Sequence, residues 1–430
     1  MSLDFPVGPR RREFLALALL AISASACGGS EDTVLMAQGV SREVPVDPPL
    51  AEVVRGLTAF GHSVYAAAVE PGKNMVLSPL SIAYALGMAR AGAAGATAAA
   101  LDKACGFPAA GPHTAFNALT RKIVTVAGVP PEPTSGGERD AQNSEPADPV
   151  VGIANGLFAQ QGLSVKQPFL RTLAAQYGTG VRTVDFRENA TAVIDAWVEE
   201  QTAGRIKKLF DQLDEATRLV IANAVYLKAD WEHSFAEGPH EENAAFTRED
   251  GSTVRTKLMR QTGEFRYASR AGWQAVELPY AKSDLAMWVL LPARGGSPGE
   301  LMKPGRLAQV AAGLKPTAVT VSLPGWDFAT DLDLEEPLRA LGLGVLFDGA
   351  DFSGIADDLF LGQAVHRANI SVDEWGTEAA AVTGLAFPTS GLAGTVTEFR
   401  ADHAFAFAIM HRSTSTPLFI GHVSDPTASA

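Results

Sequence analysis

Hydrophobic and polar positions change rhythm several times along this chain, and each rhythm points to a different element. Val53, Val54, Leu57, Phe60 and Val64 recur at helical spacing, so a helix is expected from Ala51. Met75-Val76-Leu77 is a short apolar strand, and Ser78-Pro79 reads as the helix start that follows it. Proline suits a first turn because it has no amide hydrogen to leave unpaired there. The new helix is rich in small residues through Ala91-Gly92-Ala93-Ala94-Gly95-Ala96-Thr97. Glycines weaken a helix, so they point to close approach of another backbone or a break near Gly92. Further helices are expected at His113 to Val126, Gln167 to Tyr177 and Ala192 to Thr202. Strands are expected at Val151 to Phe158, Leu219 to Leu227, Ala275 to Leu278, Leu285 to Leu291 and Ala318 to Leu323. Ala404 to Met410 and Leu418 to Val423, joined by Arg412 to Pro417, read as a buried hairpin. No internal repeat is visible.

The stretch from Asp373 to Thr397 fits none of these rhythms. It is too long and too thin in large apolar residues for an ordinary connection, and too poor in charge and proline for a disordered tail. No Lys or Arg occurs between Arg367 and Arg400. Read as a strand, Thr377, Ala379, Ala381 and Thr383 share one face, while Glu378, Ala380 and Val382 share the other. The first face is small and uncharged. Such a segment can enter a sheet without burying a charge or overfilling a core.

With 430 residues, 47% of them apolar, the chain can bury a large core. A net charge of −13 argues against nucleic acid as a partner and favours solubility. Arg10-Arg11-Arg12 precedes an apolar run from Phe14 to Ile22, so residues 1–26 read as an export signal, too short to span a bilayer. Arg11-Arg12-Glu13-Phe14-Leu15 resembles a twin-arginine signal. Ala24-Ser25-Ala26-Cys27 resembles a bacterial lipobox with Ala24 where Leu is usual. Cleavage before Cys27 leaves a lipid-anchored, extracytoplasmic protein; the alternative is an ordinary signal and soluble secretion. Since the only other cysteine is Cys105, no disulfide is expected. Residues 27–50 are polar and punctuated by Pro and Gly, and read as a flexible tether. Residues 130–149 read as a disordered insertion and 427–430 as a tail.

Catalytic chemistry finds little support. Gly295-Gly296-Ser297-Pro298-Gly299 satisfies the G-x-S-x-G pattern of a nucleophile elbow. Its context fails, because Pro292-Ala293-Arg294 separates it from the preceding strand and Pro298 sits where a helix should begin. The eight histidines show no His-Glu-x-x-His spacing, and no glycine loop precedes Lys-Ser or Lys-Thr. No cofactor and no metal is called for.

Several motifs, in order, resemble the serpin family. Gly376-Thr377-Glu378-Ala379-Ala380-Ala381-Val382-Thr383 resembles the proximal hinge of an inhibitory serpin's reactive-centre loop, and Phe399 to Phe405 resembles the segment beyond it. Asn74, then Ser78-Pro79-Leu80-Ser81-Ile82, Met88 and Gly92 to Thr97 match a long family pattern. Asn223 to Lys228 with Trp231 and Phe235, and Asp351 to Ile355, match others. The resemblance runs from Ala51 to Pro426. It implies a single mixed α+β domain, residues 51–426, with a large mainly antiparallel sheet, further sheets, several helices and an exposed loop over residues 376–397.

The resemblance also implies a function: irreversible suicide-substrate inhibition of a serine protease through a covalent acyl complex. Family spacing places the scissile bond at Ser390-Gly391; a slip of a few residues offers Phe387 or Leu392 instead. Without Lys or Arg there, elastase-, subtilisin- or chymotrypsin-like targets are expected rather than trypsin-like ones. Alternatives are cross-class inhibition of a papain-like cysteine protease, and a non-inhibitory binding protein of the same fold. By resemblance, Ser78, Ser81, Asn223 and His366 form the shutter beneath the sheet. Trp231 and Glu374 belong to the breach, where the lysine expected as Glu374's partner is replaced by Gly325. A monomer is implied. Heparin-like activation is not, since only Arg121-Lys122 are paired in the helix concerned.

Overall fold

Ser78 lies in extended backbone and its Oγ accepts the Ser81 N–H at 3.2 Å, so the helix behind it begins at the proline. That local event joins the two halves of the architecture in the computed structural model, which describes residues 33–126, 129–131, 145–236, 238–357, 359–378 and 395–428. In chain order, β1 (Thr33–Leu35), α1 (Leu50–Ala68), β2 (Met75–Leu77), α2 (Pro79–Arg90), α3 (Gly95–Cys105) and α4 (His113–Ile123) come first. Then follow β3 (Val150–Gln160), α5 (Gln167–Thr172), β4 (Val181–Val184), α6 (Ala190–Gln201) and β5 (Leu219–Asp230). The middle of the chain supplies β6 (Glu241–Thr247), β7 (Thr253–Arg270), β8 (Trp273–Pro279), β9 (Leu285–Pro292), α7 (Arg306–Gly313) and β10 (Lys315–Pro324). The remainder is β11 (Trp326–Asp333), α8 (Glu335–Ala340), β12 (Gln363–Val372), β13 (Gly376–Thr377), β14 (Thr397–Arg400), β15 (Phe405–His411) and β16 (Thr416–Val423).

Two sheets result, giving the mixed α+β class that the motifs imply. The first has the order β1-β4-β3-β5-β13-β12-β11 and is mainly antiparallel, with β3–β4 and β5–β12 parallel. The second runs β14-β10-β7-β8-β9-β15-β16-β2, with β6 on β7. β15 and β16 form the expected hairpin, and every residue in both is buried. β5 is covered on both faces, which is why it reads as an unbroken apolar run. Val220, Ala222 and Ala224 pack with Ile194, Trp197 and Val198 of α6. Ile221, Val225 and Leu227 face the main core, and by alternation Asn223 shares that face.

The small residues after α2 serve an approach rather than a longer helix. α2 ends at Arg90, and the Gly354 N–H donates to the Gly92 carbonyl at 3.0 Å. The Ala94 N–H donates to the Asp351 carbonyl at 2.9 Å. A Cβ on Gly92 would fall 2.1 Å from Ile355 Cγ1. The Gly92 to Thr97 motif and the Asp351 to Ile355 motif are thus two sides of one contact.

Three expectations differ from what is observed. The tether is one: of residues 27–50, those from Thr33 to Glu43 are tied to the domain. β1 adds to β4 as an edge strand, Ala37 is buried, and Arg42 reaches Asn117 Oδ1 (3.0 Å) and Thr120 Oγ1 (2.6 Å). Polar composition concealed this, because the segment is held mainly through hydrogen bonds. The helix expected to Tyr177 turns π-helical over Leu173–Tyr177, where the Ala175 carbonyl accepts from Glu43 N–H and Asn117 Nδ2. The downstream end of the 130–149 insertion is also tied down: Ala147 N–H donates to Asp230 Oδ2 (2.7 Å), and Thr125 Oγ1 donates to the Pro149 carbonyl (2.9 Å). Residues 1–32, 132–144 and 429–430 lie outside the described residues.

Gly92→Val is expected to push the 351–355 segment off α2 at a cost of about 2 kcal/mol, the usual scale for overfilling a packed contact. A thermal unfolding scan would show a lowered midpoint; an unchanged one would mean that the contact yields freely.

Candidate functional site

Beneath the centre of the first sheet, one cross-strand rung carries three polar side chains. Asn155 on β3 lies opposite Asn223 on β5, which lies opposite His366 on β12. His366 is fully buried. Its Nε2 accepts the Ser78 backbone N–H at 3.0 Å, so its proton must sit on Nδ1, which bonds Asn223 Oδ1 at 2.7 Å. Asn223 Nδ2 donates to the Ser81 carbonyl at 2.7 Å, to Ser81 Oγ and to Asn155 Oδ1. Ser78, Ser81, Asn223 and His366 therefore meet. Asn155 joins them unforeseen, although a lone Asn inside the apolar run of β3 was a signal that could have been used. Burial pushes the His366 pKa down to about 3. Below the ordinary imidazole value of 6.5, the unfolded chain takes up a proton that this ring refuses. Stability contributed here is therefore present at neutral pH and lost on acidification.

Above this rung the sheet is wedged. Direct pairing of β5 with β12 ends at Ala224 opposite Arg367. Higher up, β13 stands between them, with Gly376 opposite Asp230, and Thr377 opposite both Ala229 and Val372. Only glycine allows this entry, since a Cβ on Gly376 would fall 2.2 Å from the Ala229 carbonyl oxygen. Thr377 is 2% exposed and its Oγ1 lies 2.6 Å from the Tyr280 hydroxyl. Tyr280 in turn stacks on Trp231, with ring centroids 4.6 Å apart and planes 11° from parallel.

The turn from β12 into β13 is closed from every side. Asp373 Oδ1 accepts the N–H groups of Trp375 (2.8 Å) and Gly376 (3.0 Å). Burial pushes that carboxyl up to about 6 against the pull of those two donors. Trp231 donates from its backbone to the Trp375 carbonyl and from Nε1 to the Asp373 carbonyl. The Glu374 carbonyl takes the Phe235 N–H and the Ser234 hydroxyl. Glu374 itself finds a cation: Lys257 Nζ lies 2.6 Å from Oε1. Burial works to raise the Glu374 pKa, but this lysine's hydrogen bond and charge hold it below the ordinary range. β7 pairs with β10 as far as Leu258 opposite Pro324, which leaves Lys257 and Gly325 each one residue beyond the last pair. The lysine missing at 325 is thus supplied by the neighbouring strand.

Glu378 is the last of the hinge residues that are described, with φ +53° and its N–H on the Ser371 carbonyl at 2.8 Å. Ala379, Ala380, Ala381, Val382 and Thr383 lie outside the described residues, as do Phe387, Ser390, Gly391, Leu392 and Cys27. At the G-x-S-x-G pattern, the Ser297 hydroxyl donates to Glu249 Oε1 at 2.9 Å rather than to an imidazole, and the residue caps a short 3₁₀ turn.

Comparison with known proteins agrees with this architecture. The family model for serpins (serine protease inhibitors) matches residues 55–426. A leukocyte elastase inhibitor of Bos taurus is 33% identical over 374 residues, covering 83% of this chain and 94% of that relative. The thermophilic serpin Tengpin in its native state aligns with a TM-score of 0.78 over 92% of this chain and 100% of its own; at 24% identity it bears on the fold alone. Human thyroxine-binding globulin aligns with a TM-score of 0.75 at 25% identity, over 88% of this chain and 100% of its own. A family model along most of the length and a relative matched nearly end to end leave one assignment: this chain belongs to the serpin family.

Proposed function

We propose that this serpin is inhibitory and acts as a suicide substrate for a serine protease of elastase-, subtilisin- or chymotrypsin-like specificity. The observation that carries this is β13: the loop's first residues already occupy a slot between β5 and β12, above a point where those strands cease to pair. The protease serine attacks the Ser390 carbonyl, the Ser390–Gly391 bond breaks, the new amine leaves, and the acyl group stays on the protease as an ester. Released from its far end, the chain lengthens β13 downward. Thr377, Ala379, Ala381 and Thr383 turn their small side chains inward, and the tethered protease is carried along and distorted before water can resolve the ester. The polar rung at Asn155, Asn223 and His366 is the shutter in this reading. It lies at the first closed pairs below the slot, where side-chain hydrogen bonds can be exchanged as the strands part.

A non-inhibitory role is the second reading, favoured by the similarity to thyroxine-binding globulin. Incubation with elastase and with subtilisin separates the two. Inhibition predicts a complex that survives boiling in detergent, a released peptide beginning at Gly391, and a sharply raised melting temperature of the cleaved protein. Cleavage without complex and without a raised melting temperature would leave the binding-protein reading. A stable complex formed with papain alone would move the target to cysteine proteases.

Thr377→Arg places an unpaired charge at a position only 2% exposed. A penalty of about 2 kcal/mol on insertion slows it roughly thirtyfold, so the variant is cleaved as a substrate rather than trapping the protease. Stoichiometry of inhibition is the measurement; a value equal to wild type would sink the insertion mechanism. We also infer that Cys27 carries a lipid outside the cytoplasm. Palmitate labelling of the full chain in a lipoprotein-processing bacterial host should be lost in Cys27→Ala, and its persistence there would refute the anchor.

A further inference from the structure

Glu378 follows β13, yet its side chain barely reaches water. It is 3% exposed, and the backbone holds it in the left-handed region at φ +53°. Tyr226 of β5 lies beside the carboxyl group. Arg205, from the segment after α6, brings Nε to 3.6 Å from Oε2, which is too far for a hydrogen bond, and Oε2 has no hydrogen-bond partner. Lys228 of β5 adds a weaker attraction and Asp327 of β11 a repulsion. A buried carboxyl with one oxygen unsatisfied is seated more favourably as a neutral acid than as an anion.

We propose that hinge docking is proton-coupled: with Glu378 neutral, Gly376 and Thr377 stay docked between β5 and β12, and its ionisation releases them into the free loop. This rests on the inhibitory reading only for its consequence. A released hinge gives the loop two more free residues for a protease to engage, while a docked one shortens it.

The sign follows from the shift. Burial raises the Glu378 pKa from 4.5 to about 7, with Arg205 pulling it down and Asp327 pushing it up. The docked form therefore keeps a proton that the released form gives up. Docking is at full strength below pH 4.5, weakens about tenfold per unit up to about pH 7, and then levels. Asp373, in the β12–β13 turn and raised to about 6, acts in the same direction over a narrower range.

Hydrogen exchange of the peptide spanning residues 372–378, read by mass spectrometry and corrected for intrinsic rates, tests this without any protease. In wild type its protection should fall roughly a hundredfold between pH 5.5 and 8, about thirtyfold of it through Glu378 and the rest through Asp373. In Glu378→Gln, which keeps the shape and removes the charge, the fall should shrink to the roughly threefold left to Asp373. Arg205→Met should carry the levelling point to higher pH. Protection in the β15–β16 hairpin, unchanged across all three proteins, shows that each is folded. Flat wild-type protection, a Glu378→Gln profile as steep as wild type, or no displacement in Arg205→Met would each overturn the proposal. Failure to trap elastase or subtilisin alters none of these readings, so the two hypotheses fall separately.

Discussion

β5 and β12 run parallel and pair from Val220 opposite Gln363 to Ala224 opposite Arg367, and then they part. Backbone donors and acceptors along the upper halves of two central strands are thereby denied the partner that a closed sheet would give. β13 supplies part of it, for two of the described residues. On the inhibitory reading, a sheet that is complete at one end and wedged at the other has a lower-energy arrangement within reach, provided a suitable strand is at hand. The segment positioned to supply that strand is continuous with β12 through one tight turn. Around it, Trp231, Tyr280, Ser234, Phe235 and Lys257 serve to hold that turn in register.

The closed end could have been sealed with apolar packing, as the rest of β5 is. Instead it carries Asn155, Asn223 and His366 across three strands, with Ser78 and Ser81 beneath. Interdigitated apolar side chains resist sliding because any displacement opens voids. Hydrogen-bonded amides, hydroxyls and a neutral imidazole hold as long as each partner is present, and they can hand bonds from one partner to another. His366 is suited to this only while uncharged, since its Nε2 must accept from Ser78. Burial keeps it so.

Local signals gave good account of local structure. The Ser78-Pro79 start, the alternation of the strands and the final hairpin were all readable from residues close in sequence. The small residues around Gly92 announced a close approach but not its partner, because Ile355 lies far along the chain. Glu374 was picked out by resemblance and its cation was not: Lys257 comes within reach of it through a β7–β10 pairing that no single sequence displays. The same holds for Asn155, whose role appears only once β3 lies beside β5. Residues 33–43 were misjudged because composition measures burial better than it measures hydrogen bonding. Glu378 was read only as lying on the face opposite Thr377, and the positions of Arg205, Tyr226 and Asp327 reveal that it is enclosed.

The edge strand β1 has an outcome of its own. A sheet able to accept a strand in its middle is exposed to a second hazard at its margins, where unpaired backbone groups can recruit a strand from a neighbouring molecule. Among the described residues, three from the leading segment pair with β4 and shield part of that rim. On the inhibitory reading, the need for an extra ribbon is then met from within, by the molecule's own chain, rather than by others in a crowded solution.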